Sequence, residues 1–92
     1  MDAQQFQIAL EHDGFTPATA GEYASGLINL EHTHPFEVRG LVLSGGMTIS
    51  GGGQIQRCGL GDVFVMHLGE THREEVGVDG CSYLYGSRQI AS

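Results

Sequence analysis

The chain of 92 residues contains no lysine and no tryptophan, and only two cysteines and two prolines. Its four cationic residues are all arginines, they are scattered along the chain, and eleven acidic residues bring the net charge to −7. A chain without a basic cluster lacks the electrostatic feature that attracts phosphate backbones and anionic lipids. We therefore expect neither nucleic acid nor a membrane among its partners.

Long apolar runs are lacking as well. None approaches the roughly 20 residues of a membrane span or the length of a signal-peptide core, so the sequence predicts a cytoplasmic protein. Cys58 and Cys81 are too few for a disulfide framework, and in a reducing compartment we expect both to be buried thiols.

The length of the chain suits a single domain over residues 1–92 with a modest hydrophobic core. A bound ion or a second subunit would add stability to such a small fold, because either one binds the folded state alone. We therefore expect a homodimer.

The N-terminal segment has the apolar spacing of a short helix. Phe6, Ala9 and Leu10 recur at the helical interval, Gly14 follows closely, and Asp2 is a suitable N-cap. The sequence predicts a helix over about residues 2–12 that packs its apolar edge on the rest of the domain.

From residue 15 to about 88 the pattern is all-β, because short apolar segments alternate with glycines that permit tight turns. The predicted strands cover residues 23–30, 37–43, 46–50, 54–58, 62–66, 72–76 and 82–87. The glycines at 51–53 most simply form a hairpin loop. A phosphate-binding loop would need a lysine and a following helix, and both are lacking here.

Three histidines carry the main chemical signal. Residues i and i+2 of a strand point to the same face, so His32 and His34 can aim two imidazoles at one point, and His72 supplies a third much later in the chain. Neutral imidazole is the commonest metal ligand, and three of them leave open positions for water, oxygen or a substrate.

Two segments resemble the motifs of the cupin family. Residues 31–46 contain a His-x-His pair, a nearby Glu and an apolar strand that ends in Gly, as in the first cupin motif. Residues 61–72 open with Gly-Asp and continue with a Gly and a His, as in the second. The resemblance spans roughly residues 20–88. It implies a double-stranded β-helix barrel of the jelly-roll type, a metal bound by His32, His34 and His72, and dimers, which are common among cupins.

The chain departs from the family pattern at two positions. Only Pro35 and Phe36 separate His34 from Glu37, a shorter spacing than the family has, so Glu37 reaches the metal only if a turn or a bulge re-aims it. Otherwise the site has three histidines and open positions, which resembles the cupin thiol dioxygenases. His67 stands where the family usually has Pro. It is a fourth nitrogen near the ion, an acid or base beside it, or a hydrogen-bonded residue at a strand end.

Other side chains are candidates for a pocket around the ion, with ordinary barrel core as the alternative. These candidates are Phe36, Met47, Phe64, Met66, Tyr83 and Tyr85. Arg39 and Arg57 could anchor a substrate carboxylate or pair with surface acids. The acids around His72, namely Glu70, Glu74 and Glu75, are expected to be solvated, although one of them could orient an imidazole.

The nitrogen and oxygen ligands suit a divalent transition metal, and iron, zinc, nickel, copper and manganese all remain open. The sequence favours a metal-binding cupin whose reaction it does not determine, and the enzymatic candidates are an oxygenase, a lyase or an isomerase of a small organic molecule. The alternative is a metal-binding or ligand-binding module without turnover, with a sensory or protective role.

Overall fold

A computed structural model describes residues 1–89 of the chain. One helix precedes six strands, and all strand pairs are antiparallel. The elements are α1 (Ala3–His12), β1 (Thr19–Tyr23), β2 (Ile28–His32), β3 (Glu37–Gly51), β4 (Gln54–Cys58), β5 (Val63–Met66) and β6 (His72–Arg88).

Helix α1 begins where the sequence predicts it. The Asp2 side chain accepts a hydrogen bond from the Gln5 backbone N–H at 2.8 Å, and the Gln5 side chain accepts one from the Asp2 N–H, which forms a capping box. The helix buries Phe6 and Leu10 against the outer side of the sheet, where they contact Phe15 and Leu41. No helix within residues 1–89 is long and apolar enough to cross a bilayer.

The two long strands, β3 and β6, organise the fold. The first half of β3 pairs with β5 and with the second half of β6, and β1 lies on the far side of β6. The second half of β3 pairs with β4 and with the first half of β6, beside which β2 lies. The molecule therefore has two four-stranded layers, and both long strands run through both layers.

The main hydrophobic core lies between the two layers. Its buried members come from both of them, so the layers face each other as in a barrel. They are Val38, Val42, Met47, Ile49, Cys58, Phe64, Met66, Val76 and Cys81. Both cysteines are buried free thiols, as predicted, and burial raises the pKa of Cys58 to about 11.

The strand boundaries correct the sequence prediction in two ways. The predicted strands at 37–43 and 46–50 are parts of the single strand β3, and those at 72–76 and 82–87 are parts of β6, because the glycines between them form irregularities in the pairing and leave the strands continuous. The predicted strand at 23–30 is wrong. A turn separates β1 from β2, and the Leu27 N–H donates to the Ala24 carbonyl there. The predicted hairpin at 51–53 is confirmed between β3 and β4.

Gly45 and Gly80 lie side by side where the long strands pass from one layer to the other. Both have φ near +70°, which favours glycine. A Cβ atom on Gly45 would overlap the Gly80 carbonyl oxygen, so the two backbones approach more closely than a side chain allows. This close approach lets β3 and β6 bend together and serve both layers.

Gly45→Ala should lower the free energy of unfolding by at least about 2 kcal/mol, because it adds both backbone strain and a clash with a carbonyl that cannot move alone. Gly59→Ala is the matched control, since a Cβ there has only the Asp62 carboxylate at 3.9 Å. Urea unfolding of both variants measures the difference. Equal midpoints for the two variants would contradict this explanation of the bend.

Candidate metal centre

The structure brings the three predicted histidines together. His32 ends β2 and is paired with His72, the first residue of β6, while His34 lies in the loop just after β2. The ring centroids are 4.3 Å apart for His32 and His72, 4.9 Å for His32 and His34, and 5.0 Å for His34 and His72. One nitrogen from each ring lies within 4.8 Å of the other two, so this cluster could hold a metal ion.

Backbone carbonyls fix the orientation of two of these rings. His32 Nδ1 lies 2.7 Å from the Leu30 carbonyl oxygen, and His72 Nδ1 lies 3.3 Å from that of Glu70. A carbonyl oxygen only accepts hydrogen bonds, so each Nδ1 carries the proton of its neutral ring. The lone pair of each ring is then on Nε2, the atom that faces the centre of the cluster.

Glu74 lies against the cluster, where the sequence had predicted a solvated position for it. Its side chain is only 2% exposed, and its Oε1 lies 3.4 Å from His32 Nε2 and 3.7 Å from His72 Nε2. Residues 72, 74 and 76 are all buried because they alternate along β6 with more exposed neighbours. The expected solvated position holds for Glu75 but not for Glu74, and the shared parity with His72 was the signal that could have revealed this.

The donor set of this centre fits a cation. Two Nε2 lone pairs and a carboxylate oxygen face one another, and both His72 Nε2 and Glu74 Oε2 are buried without a hydrogen-bond partner within residues 1–89. Such a group of acceptors is mutually repulsive and costly to bury. A proton bridges only two atoms, and the separations exceed those of charge-assisted hydrogen bonds. A cation held by His32, His34 and His72 would offset this repulsion.

Glu37 lies apart from the histidines. It pairs with Arg88 across the β3–β6 ladder, and its Oε2 accepts a hydrogen bond from the Arg88 guanidinium at 2.9 Å. Neither a turn nor a bulge re-aims Glu37, because β3 begins regularly at this residue and the next residue, Val38, points into the core. The structure therefore directs the Glu37 carboxylate to an ion pair and away from the cluster.

His67 and Arg39, two other predicted site residues, also lie elsewhere. His67 is exposed, and its carbonyl accepts a hydrogen bond from the Glu70 N–H in the turn that follows β5. His67 directly follows β5 and is not part of the histidine cluster that could hold a metal. Arg39 pairs with Asp13 and stacks on the Phe15 ring, next to helix α1. Arg57, the other proposed carboxylate anchor, is exposed on β4.

A cavity of about 280 Å³ opens beside the histidines. All three tyrosines of the chain line it, and no arginine within residues 1–89 does. Every predicted pocket side chain other than Arg39, Arg57 and His67 is part of the lining, and Tyr23, Val38 and Glu74 were missed. The lining consists of Tyr23, His32, His34, Phe36, Val38, Met47, Phe64, Met66, Glu74, Tyr83 and Tyr85.

The tyrosines form a row along the cavity. The ring centroids of Tyr23 and Tyr83 are 5.0 Å apart, and those of Tyr83 and Tyr85 are 5.9 Å apart. Burial raises the pKa of Tyr23, and its contact with Tyr83 and the charge of Glu74 raise it further. Burial also raises the pKa of Tyr83. Both hydroxyls therefore stay protonated near neutral pH and remain hydrogen-bond donors.

The solved structures that resemble this chain identify its fold. Neither the models of known protein families nor the curated protein sequences match it. A protein of unknown function from Rhizobium leguminosarum is 26% identical with a TM-score of 0.75, over 80% of this chain and 70% of that one. A cupin superfamily protein from Desulfitobacterium hafniense is 18% identical with a TM-score of 0.68, over 80% and 67%.

The DMSP lyase DddQ from Ruegeria pomeroyi is 23% identical with a TM-score of 0.71, over 83% of this chain but only 39% of its own. Several structures similar to the chain are cupins or cupin domains. The chain therefore has the cupin fold, which confirms the fold class and the family resemblance predicted from the two motifs.

The environment of His34 makes the metal-free protein sensitive to acid. Burial lowers the pKa of His34, and the neighbouring His72 and His32 lower it further. As the pH falls below about 6.5, the unfolded chain takes up a proton at this position before the folded chain does, so the free energy of unfolding decreases.

His34→Gln should reduce this loss of stability between about pH 7 and pH 5, because glutamine does not titrate. Urea unfolding of chelator-treated protein across this range measures the slope. His12→Gln is the control, since this ring is solvent-exposed and far from the cluster in the fold. A slope for His34→Gln that equals the wild-type slope would contradict the assignment.

Proposed function

We propose that this chain is a metal-dependent cupin in which His32, His34 and His72 hold a divalent transition metal at the inner end of a small-molecule cavity. The convergence of the Nε2 lone pairs of His32 and His72 beside the buried Glu74 carboxylate carries this proposal. Iron, zinc, nickel, copper and manganese all accept such ligands. A bound ion would supply Lewis acidity or, as a redox metal, a position for oxygen.

The lining of the cavity supports a compact, uncharged ligand. The cavity volume of about 280 Å³ is close to the lower limit of the volumes typical of pockets that bind drug-sized molecules. Aromatic rings and methionines contribute most of the wall, and the only acid on it is Glu74. A ligand carboxylate would have no guanidinium to pair with there, because Arg39 and Arg88 are engaged beside helix α1.

The protonated tyrosines favour an enzyme that uses hydrogen-bond donors next to the ion. Tyr23 and Tyr83 are able to orient an oxygen or nitrogen atom of the ligand, and the surrounding rings exclude water. DddQ, whose fold is similar, is a DMSP lyase, which supports a lyase among the three reaction classes inferred from the sequence. The homodimer, the cytoplasmic location and the absence of nucleic-acid and membrane partners stay predictions.

His72→Ala should abolish stoichiometric metal binding and remove the gain in melting temperature that Zn²⁺ gives the wild type, because metal binding adds directly to folded-state stability. His67→Ala is the matched control and should bind like the wild type. Metal analysis after gel filtration and thermal unfolding with and without Zn²⁺ measure both effects. His34→Ala serves as a second variant, since its side chain is less buried. Full metal occupancy in both cluster variants would contradict the assignment of these histidines as metal ligands.

Azide should bind to the Co²⁺-loaded protein and shift its visible absorption bands, because a reactive site keeps at least one coordination position open. The metal-free protein with azide is the control. An unchanged spectrum at saturating azide would instead indicate a closed site, and the protein would then be a metal-binding module without turnover.

A further inference from the structure

We propose that Glu74, and not Glu37, supplies the carboxylate ligand of this metal centre. The inference rests on the proposed function, since a ligand role requires that the histidines bind a metal. It assigns the fourth protein ligand to strand β6, two residues after His72, whereas the first cupin motif places it at the start of β3.

The burial of Glu74 indicates that its charge has a specific partner. Its side chain is 2% exposed, and within residues 1–89 its ion-pair contacts are only His32 and His72. The nearest arginine along β6, Arg73, points to the outer side and pairs with Glu75 instead. A buried carboxylate needs a cation or several hydrogen-bond donors. Within residues 1–89, Oε2 has no hydrogen-bond partner, and the neighbouring hydroxyl of Tyr23 is a single donor near the carboxylate.

In their neutral form, the two histidines that contact Glu74 offer it no proton. Each of them directs its Nδ1–H to a backbone carbonyl, of Leu30 for His32 and of Glu70 for His72. The Nε2 atoms that face Glu74 therefore carry lone pairs. This excludes the usual supporting role of an acid near a metal, in which the carboxylate accepts the remaining N–H of a ligating imidazole.

The separations are slightly longer than those of atoms that share an ion. Two donor atoms bound at about 2.1 Å to one ion, at tetrahedral or octahedral angles, lie roughly 3.0 to 3.4 Å apart. Glu74 Oε1 is 3.4 Å from His32 Nε2 and 3.7 Å from His72 Nε2. Only a small contraction of the cluster would bring these three atoms onto one ion.

The same assignment explains the departure from the family motif. Because the spacing after His34 is short, Glu37 lies opposite Arg88, which also donates to the Asp13 carbonyl at the end of helix α1. Glu37 thus joins the contacts that attach the helix to the sheet. Glu74 on β6 supplies the carboxylate instead, because strand alternation places His72 and Glu74 on the same inward face.

Three glutamate variants test the assignment. Glu74→Gln keeps the size of the side chain and removes its charge, so Zn²⁺ affinity measured against a competing chelator should fall at least about tenfold. Glu37→Gln and Glu75→Gln should each stay within about twofold of the wild type. The Co²⁺ absorption spectrum should change only for Glu74→Gln, because only this variant alters the ligand set.

Thermal unfolding of the metal-free proteins separates a ligand from a structural residue. Without metal, Glu74→Gln should be at least as stable as the wild type, because it removes a buried charge whose contacts with two neutral imidazoles do not neutralise it. Glu74→Asp retains the charge on a shorter side chain and should bind Zn²⁺ with an affinity between those of the wild type and Glu74→Gln.

Wild-type Zn²⁺ affinity and an unchanged Co²⁺ spectrum in Glu74→Gln would overturn the inference and leave the three-histidine site intact. A loss of Zn²⁺ affinity in Glu37→Gln instead would show that Glu37, the glutamate of the first cupin motif, is the carboxylate ligand. A metal-free Glu74→Gln that is unfolded would make Glu74 a structural residue and would also overturn the assignment. Failure of the wild type to bind Zn²⁺ or Co²⁺ would remove the proposed function together with this inference.

Discussion

The repulsion among lone pairs around the buried His72 and Glu74 side chains is the constraint on which the proposed site depends. His32 and His72 present unprotonated Nε2 atoms to the same place, and Glu74 adds a carboxylate oxygen to it. Such a cluster opposes folding unless a cation occupies its centre. Under the proposed function, folding and metal binding are expected to be coupled, because an ion binds the folded cluster alone.

The fold separates its charges by location. Arg39 and Arg88 both stack on Phe15 on the outer side of the sheet and engage the end of helix α1. Arg57 is exposed on β4, and Arg73 pairs with Glu75. The cavity keeps aromatic rings, methionines and tyrosine hydroxyls together with a single acid. A ligand there would meet hydrogen-bond donors and the candidate metal site, and no arginine within residues 1–89 lines the cavity.

Much of this arrangement could be predicted from the sequence, because its main signals are local. The His-x-His pair and the Gly-Asp segment indicated the fold and the convergence of three imidazoles, and the capping residue Asp2 indicated the helix. The continuity of β3 and β6 could not be predicted, because a glycine that bends a strand and a glycine that ends one look alike in sequence. Gly45 and Gly80 show their role only through their close approach to each other.

Glu74 was missed for a different reason. In sequence it lies within a charged stretch, Arg73-Glu74-Glu75, which is typical of a solvated strand. Its environment is set by the register of β6 against β2 and β3, which pairs Glu74 with Asn29 and Ile49. Long-range pairing determines that register, so the inward face of β6 could be assigned only by taking His72 as its reference point.

The measurement that tests the central claim most directly is an anomalous difference map from crystals of the metal-loaded protein. The account predicts one peak at about 2.0 to 2.3 Å from His32 Nε2, His72 Nε2 and a nitrogen of His34. A peak elsewhere in the molecule, or three histidine rings turned away from the metal, would contradict it.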